Sequence, residues 1–176
     1  EIKNKKIKYI KSETKNISKI LKPYKKSIHS LFHFGEFSRI YQSFVKINDC
    51  FNSNMVGTNE VFNFCLSNKI KLIYSATSAS IGNNGDDKNL SPYAFTKAKN
   101  LELLQNLKKW FNFKFEIIYF YNVYGPGQIK KGDMATVVGI FENQFKKKLS
   151  LSVVKPGSQS RRFTHIFDTI ETCFFA

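Results

Sequence analysis

Short apolar runs alternate along this chain with stretches long enough for multi-turn helices, and that alternation constrains the fold more than any other feature. Ser30-Leu-Phe-His-Phe34, Ile70-Lys-Leu-Ile-Tyr74 and Phe115-Glu-Ile-Ile-Tyr-Phe-Tyr121 read as strands, the first closed by Gly35. Between them, Phe44 to Asn68 and Leu90 to Phe111 read as helical. Strands joined through helices of about ten or more residues pair in parallel, because a parallel neighbour requires a crossover. The helices then cover both faces of the sheet, so the sequence predicts an α/β fold with a doubly wound parallel sheet. In such sheets ligands bind beyond the carboxyl ends of the strands.

The remaining segments complete the pattern. Residues 6–12 alternate like a short strand, and Asn16 to Tyr24 form a short amphipathic helix that Pro23 disturbs near its end. Gly82 to Asp87 is a loop by composition. After the turn Tyr124-Gly-Pro-Gly127 the sequence predicts a helix from about Met134 to Lys147 and a strand from Leu149 to Val154. A turn at Pro156-Gly157, a strand from Arg162 to Ile166 and a helix from Asp168 onward follow. The strand ends then carry Glu13, His33 to Ser38, Ser75 to Thr77 and Tyr121-Asn122, a gathering of polar and small residues that marks a site.

Composition excludes several classes. The net charge of +15 invites a nucleic-acid reading, yet the positive residues are nearly all Lys, with arginine only at Arg39, Arg161 and Arg162. Base-edge readout favours Arg, and no nucleic-acid motif is present, so the lysines are expected on solvated faces and no specific nucleic-acid partner is expected. No apolar run approaches the roughly 18 residues of a membrane span. Cys50, Cys65 and Cys173 form no Cys-x-x-Cys, and His29, His33 and His165 form no metal-ligand cluster. Free thiols in a reducing cytoplasm and no metal are the expectations.

The chemistry centres on Ser91-Pro-Tyr-Ala-Phe-Thr-Lys97. Ser91 and Pro92 read as an N-cap and a first-turn proline, which places Tyr93 and Lys97 on one helix face, one turn apart. A phenol with a pKa of about 10 is a poor base at neutral pH, and a nearby ammonium favours its phenolate. Tyr-x-x-x-Lys is therefore a workable proton-transfer pair. In a Lys-rich chain the same spacing also fits a solvated helix face, so the pair needs companions.

The companions are present. His33-Phe-Gly, Asn54-Met-Val-Gly57-Thr58, Tyr74-Ser-Ala-Thr77 followed by Gly82, Tyr93-x-x-x-Lys97, Asn122-Val-Tyr-Gly-Pro126 and Arg161-Arg-Phe-Thr-His-Ile-Phe-Asp168 occur in this order. Together they resemble the extended short-chain dehydrogenase/reductase family, the NAD-dependent nucleotide-sugar epimerases and dehydratases. The resemblance implies a Rossmann-like sheet, with residues 1–124 a partial NAD(P)-binding domain and 125–176 the start of the substrate region and a returning strand. The family's opening glycine-rich turn has no counterpart here, the first glycine being Gly35. The resemblance accordingly implies an internal fragment of a larger enzyme.

It also implies roles. Tyr93, Lys97 and Thr77 correspond to the catalytic set, with Tyr93 as base, Lys97 lowering its pKa and bonding the nicotinamide ribose, and Thr77 bonding the reacting oxygen. Glu13, Thr14, Phe34, Gly35, Glu36, Asn54 and Tyr121 join Tyr93 and Lys97 as cofactor-binding positions. Glu36 stands where the family has Ala or Gly, so its carboxylate is expected to point away from the phosphates or to pair with a cation such as Arg39. Thr77, Asn122 and Arg161 correspond to substrate contacts, with Arg162 replacing the family's Asp. His165 and Asp168 are assigned to orienting the loop and capping the last helix. Ser78 and Ala79 replace the Asp-Glu of the sugar dehydratases, which disfavours dehydration. The implied function is a UDP-glucose 4-epimerase-like reaction with NAD, NADP remaining open. The alternatives are an ADP-heptose 6-epimerase type, which Lys131-Gly-Asp-Met-Ala-Thr136 also suggests, or a nucleotide-sugar dehydratase. Outside enzymes, the remaining alternative is an inactive fragment or a basic binding module. The partners implied are a nucleotide-sugar and a second copy in a homodimer, in the cytoplasm.

Overall fold

The computed structural model describes residues 6–78 and 87–176. Three strands, β1 (Ser30–His33), β2 (Lys71–Thr77) and β3 (Phe115–Phe120), form one sheet in that order. Both pairings are parallel, with His33 opposite Tyr74 and Thr77 opposite Phe120, as the alternation predicts. β2 is central and buried along Leu72 to Ala76, the pattern of a strand covered on both faces.

The crossover between β1 and β2 is helical but segmented. It runs through α2 (Ile40–Val45), α3 (Ile47–Phe51), a π-helical turn (Asn52–Gly57) and α4 (Thr58–Asn68). Its widened turn contains Gly57, where a β-carbon would stand 2.2 Å from Thr14 Oγ1. Only a residue without a side chain lets Thr14 approach there. α4 ends at Lys69, whose left-handed backbone (φ 56°) donates back to the Cys65 and Leu66 carbonyls. Val61, Phe62, Phe64 and Cys65 of α4 meet Leu72 and Tyr74 of β2 and form the core with Leu104, Leu107 and Phe113.

The crossover from β2 to β3 is α5 (Pro92–Phe111). Beyond the sheet, β4 (Asn122–Tyr124) pairs in parallel with β5 (Phe163–His165), and α6 (Val137–Lys146) lies between them in sequence. The last helix, α7 (Ile166–Phe175), packs against β3 and β4. The helix near Pro23 is short as expected: α1 (Ile17–Leu21) passes into a 3-10 turn at Lys22–Tyr24.

Two expected strands do not form. Residues 8–13 and 149–154 carry no regular element, and their apolar residues stay open, with Tyr9 59% and Val153 69% exposed. Alternation distributes side chains to two sides, but a strand also needs a neighbour to complete its ladder. No described strand pairs with either segment. Of the expected loop at 82–87, residues 82–86 lie outside the described residues, as does Ala79.

The core makes alkaline stability predictable. Burial pushes the Cys65 thiol from an ordinary 9.0 up to about 12. A group whose folded pKa is raised contributes stability in full below its unfolded pKa and loses it as pH rises through the folded one. The melting temperature should therefore fall between pH 9.0 and about 12. In a Cys65→Ala variant that slope should be shallower by about one proton; equal slopes in melts at matched pH would contradict the assignment.

Candidate active site

The site is built on the inner stripe of α5. Ser91 caps the helix, its hydroxyl accepting from Ala94 N at 3.0 Å, and Pro92 fills the first turn. Lys97, Asn100, Leu104 and Leu107 are buried at successive helical spacings. The stripe is apolar against the core and becomes polar towards the helix N-terminus, beside the carboxyl end of β2. Tyr93 lies on the same stripe one turn before Lys97.

Lys97 is buried, its side chain 4% exposed, and its ammonium is ion-paired with Glu36 Oε2, whose side chain is 3% exposed. The ammonium also donates to the Ser75 carbonyl and sits 4.5 Å from the centre of the Tyr74 ring. The other carboxylate oxygen, Glu36 Oε1, accepts from Thr58 Oγ1 (3.0 Å), Tyr74 OH (3.0 Å) and Asn100 Nδ2 (3.3 Å). His33 Nε2 lies 2.9 Å from Thr58 Oγ1. Since that hydroxyl donates to Glu36, the imidazole is the donor in this pair. One carboxylate thus gathers groups from α4, β2 and α5. Burial pulls the Lys97 pKa below the ordinary lysine value, and the Glu36 charge pushes it back up. Burial also holds the His33 pKa below 6.5.

Tyr93 and Thr77 are brought together in one hydrogen bond. Burial pushes the phenol above its ordinary pKa; the hydrogen bond with Thr77 favours the phenolate, Glu36 opposes it and Arg39 supports it. Tyr93 N donates to Ser43 Oγ at 3.2 Å, which ties the catalytic turn to α2. Arg39 does not pair with Glu36. Its Nη2 donates to the Met134 carbonyl, and its Nε is buried without a hydrogen-bond partner.

Asn54 is fully buried and fixes the backbone beyond β1, accepting from Phe37 N at 2.7 Å and donating to Phe37 O at 3.1 Å. It also donates to Thr96 Oγ1 at 3.1 Å. Thr14 lies against Gly57 and within 3.9 Å of where a Gly35 side chain would begin. Phe34 is 44% exposed and meets Phe120 edge-on at 5.2 Å, at the carboxyl ends of β1 and β3. Glu13 instead makes an exposed ion pair with Lys15 at 2.6 Å. Tyr121 lies between β3 and β4, under the Arg162 guanidinium at 5.9 Å.

Asn122 and Arg161 belong to the β4–β5 region and are exposed. Asn122 Nδ2 donates to the Arg162 carbonyl at 2.9 Å, and Arg161 Nη1 donates to the Ser160 carbonyl at 2.9 Å. The residue that caps α7 is His165, whose Nδ1 accepts from Phe167 N at 3.4 Å; Asp168 falls inside the first turn. Thr58, Tyr74 and Asn100, which all bond Glu36, are the residues of the site to which sequence reading assigned no role, although Thr58 and Tyr74 stand within the motifs. The helical stripe through Tyr93 and Lys97 reaches Asn100, and that signal was available. Among the described residues no cluster of His, Cys, Asp and Glu could hold a metal, and no helix is long and apolar enough to cross a membrane.

The chain matches the profile of the NAD dependent epimerase/dehydratase family over residues 2–176. It is 29% identical over 168 residues to an ADP-L-glycero-D-manno-heptose-6-epimerase of Fusobacterium nucleatum, covering 85% of this chain and 50% of that protein. With the Brachyspira hyodysenteriae enzyme of the same name it shares 32% over 156 residues, covering 81% and 48%. The chain therefore spans about half the length of the curated relatives it matches. Among solved structures, the Thermus thermophilus UDP-glucose 4-epimerase complex with NAD superposes with a TM-score of 0.84 at 20% identity, covering 98% of this chain and 61% of that one. At that identity the likeness shows the fold, a Rossmann-like parallel sheet, while the match along nearly the whole sequence shows the family. This chain belongs to the NAD-dependent epimerase/dehydratase family.

Proposed function

We propose that the chain carries the catalytic centre of an NAD-dependent nucleotide-sugar epimerase, with Tyr93 as the base, Lys97 as its supporting cation and Thr77 as the hydroxyl that orients the reacting oxygen. The observation that carries this reading is the convergence of Tyr93 and Thr77 in one hydrogen bond at the carboxyl end of β2, with buried Lys97 one helical turn away. NAD, when bound, supplies the acceptor for hydride from the sugar carbon. Tyr93 takes the proton of the sugar hydroxyl as that carbon is oxidised and returns it after reduction from the other face.

The residues present fit such ligands. Lys97 uses two of its three N–H donors on Glu36 and Ser75. Arg39 Nε is buried without a hydrogen-bond partner, and the Arg39 charge favours the Tyr93 phenolate. Ribose hydroxyls and phosphate oxygens are acceptors for donors of this kind. Thr14, Phe34, Gly35 and Asn54 are assigned to the rim and support of the cofactor site, with Glu13 at its adenine end and Tyr121 on its lining. Asn122 and Arg161 are assigned to the substrate diphosphate. Residues 1–124 are assigned to cofactor binding and 125–176 to the start of the substrate region. The outer helical face, where Phe51 and Val56 are 36% and 50% exposed, is assigned to a homodimer contact.

Two sugars divide the reading. UDP-glucose epimerised at C4 is the first. ADP-heptose epimerised at C6 is the second, favoured by two relatives of that name that each match over four-fifths of the chain. The whole protein carrying this sequence, supplied with NAD, is expected to equilibrate one of these nucleotide-sugars with its epimer, followed by proton NMR of the sugar. Failure to bind NAD and to convert either substrate would refute the proposal.

A further inference from the structure

Glu36 is the buried charged group that the proposed chemistry leaves without a task. Its carboxylate does not face the segment it belongs to; it reaches Lys97, 61 residues away. It is also itself immobilised, because Thr58, Tyr74 and Asn100 all donate to its other oxygen. A buried carboxylate needs donors for the lone pairs its ion pair leaves over, and here three neutral donors from three elements supply them. Three such bonds fix where the negative charge stands, and so fix where the ammonium can stand.

We propose that Glu36 is a positioning residue of the proton-transfer centre: clamped by Thr58, Tyr74 and Asn100, it holds Lys97 charged and seated at the carboxyl end of β2, one turn from Tyr93. This rests on the epimerase reading for its purpose, but not for its chemistry. Burial alone works against the lysine charge, and the adjacent carboxylate restores it. The other groups around this lysine are few and identifiable. His33 projects from β1 and its pKa is depressed in part by Lys97. Tyr74 offers its ring from β2. Tyr93 lies on the same helix and feels the charges of Arg39 and Cys50 as well as that of Glu36. Within this set Glu36 is the charge in direct contact with the ammonium.

The inference also accounts for the sequence departure at this position. A small residue at position 36 would leave the lysine to be held by ligand and backbone alone. With Glu36 the ammonium is seated by the protein itself, so the site is preorganised.

The test reads Lys97 directly, without turnover. In whole protein labelled at the lysine side chains, the Lys97 signal is assigned by its loss in Lys97→Met and followed by NMR as pH rises. Glu36→Gln is expected to lower the Lys97 titration midpoint by at least about one pH unit, while Glu36→Asp, which keeps the charge, is expected to leave it near the wild-type value. An unchanged midpoint in Glu36→Gln overturns the proposal. Should Glu36→Gln not fold, the unmodified protein still decides. Its Lys97 ammonium protons are expected to exchange slowly and to show proximity to the Tyr74 ring, whereas rapid exchange with solvent and no such proximity overturns the assignment. A Lys97 shift without epimerisation of any nucleotide-sugar would leave Glu36 in this role and remove the epimerase reading; turnover with an unmoved Lys97 would do the reverse.

Discussion

Lys97→Met is expected to cost about 3–5 kcal/mol of folding stability, the range found when one partner of a buried ion pair is removed. The reasoning starts from exposure: the two side chains are 4% and 3% exposed, so solvent cannot take over from the lost partner. Glu36 would keep the donors Thr58, Tyr74 and Asn100, but a buried carboxylate with neutral donors alone still carries an uncompensated charge. The Ser75 carbonyl would lose its donor as well. A double variant, Glu36→Gln with Lys97→Met, removes both charges and should recover most of the loss, because a neutral pair of similar volume escapes the desolvation cost. Urea unfolding of the wild type, the two single variants and the double variant measures the coupling as a cycle. If the double variant loses as much as the two singles summed, the groups act independently and the structural pairing is wrong.

That coupling shows where sequence reasoning reached and where it stopped. The three main strands and α5 were legible because each is a local signal: apolar runs closed by Gly35 or small polar residues, and a Ser91-Pro92 start. The segmented crossover was not. Its π-helical turn depends on Thr14 pressing against Gly57 and on Asn54 bonding Phe37, contacts between residues distant in the chain. Residues 6–12 and 149–154 have the alternation of strands, but no described strand pairs with them, and periodicity carries no information about which strand stands alongside. The β4–β5 pair divides: β5 falls within the strand expected at Arg162 to Ile166, whereas the three residues of β4 are too short to announce themselves, and Asn122 meets Phe163 only once the chain has folded back. In the site, Tyr93 and Lys97 came from spacing and Thr77 from the family resemblance; Tyr93 shares a hydrogen bond with Thr77, and Lys97 stands one turn further along α5. Glu36 was noticed because it breaks a pattern, and Arg39 was named as a candidate partner from its nearness in sequence. The actual partner sits on another element, reached through space across the end of the sheet.

The second large effect concerns turnover. Under the proposed reaction, Tyr93→Phe should reduce kcat by about 10²–10⁴-fold, the usual contribution of a positioned acid–base group, with substrate affinity little changed. The phenylalanine keeps the ring, and Ser43 Oγ still receives the backbone N–H of residue 93, so the fold should persist and the melting temperature should move little. Removing the hydroxyl also frees Thr77 from its hydrogen bond, yet Thr77 cannot substitute as base, because an aliphatic hydroxyl does not ionise near neutral pH. The pH profile carries the finer test. Burial raises the phenol pKa, so in the free enzyme the ionised base becomes more abundant as pH rises, and kcat/KM should climb on the alkaline side of neutrality. Loss of that climb in the residual activity of Tyr93→Phe would assign it to this phenol. A variant that kept both its rate and its pH dependence would show that the base lies elsewhere, and the site would have to be rebuilt around a different proton acceptor.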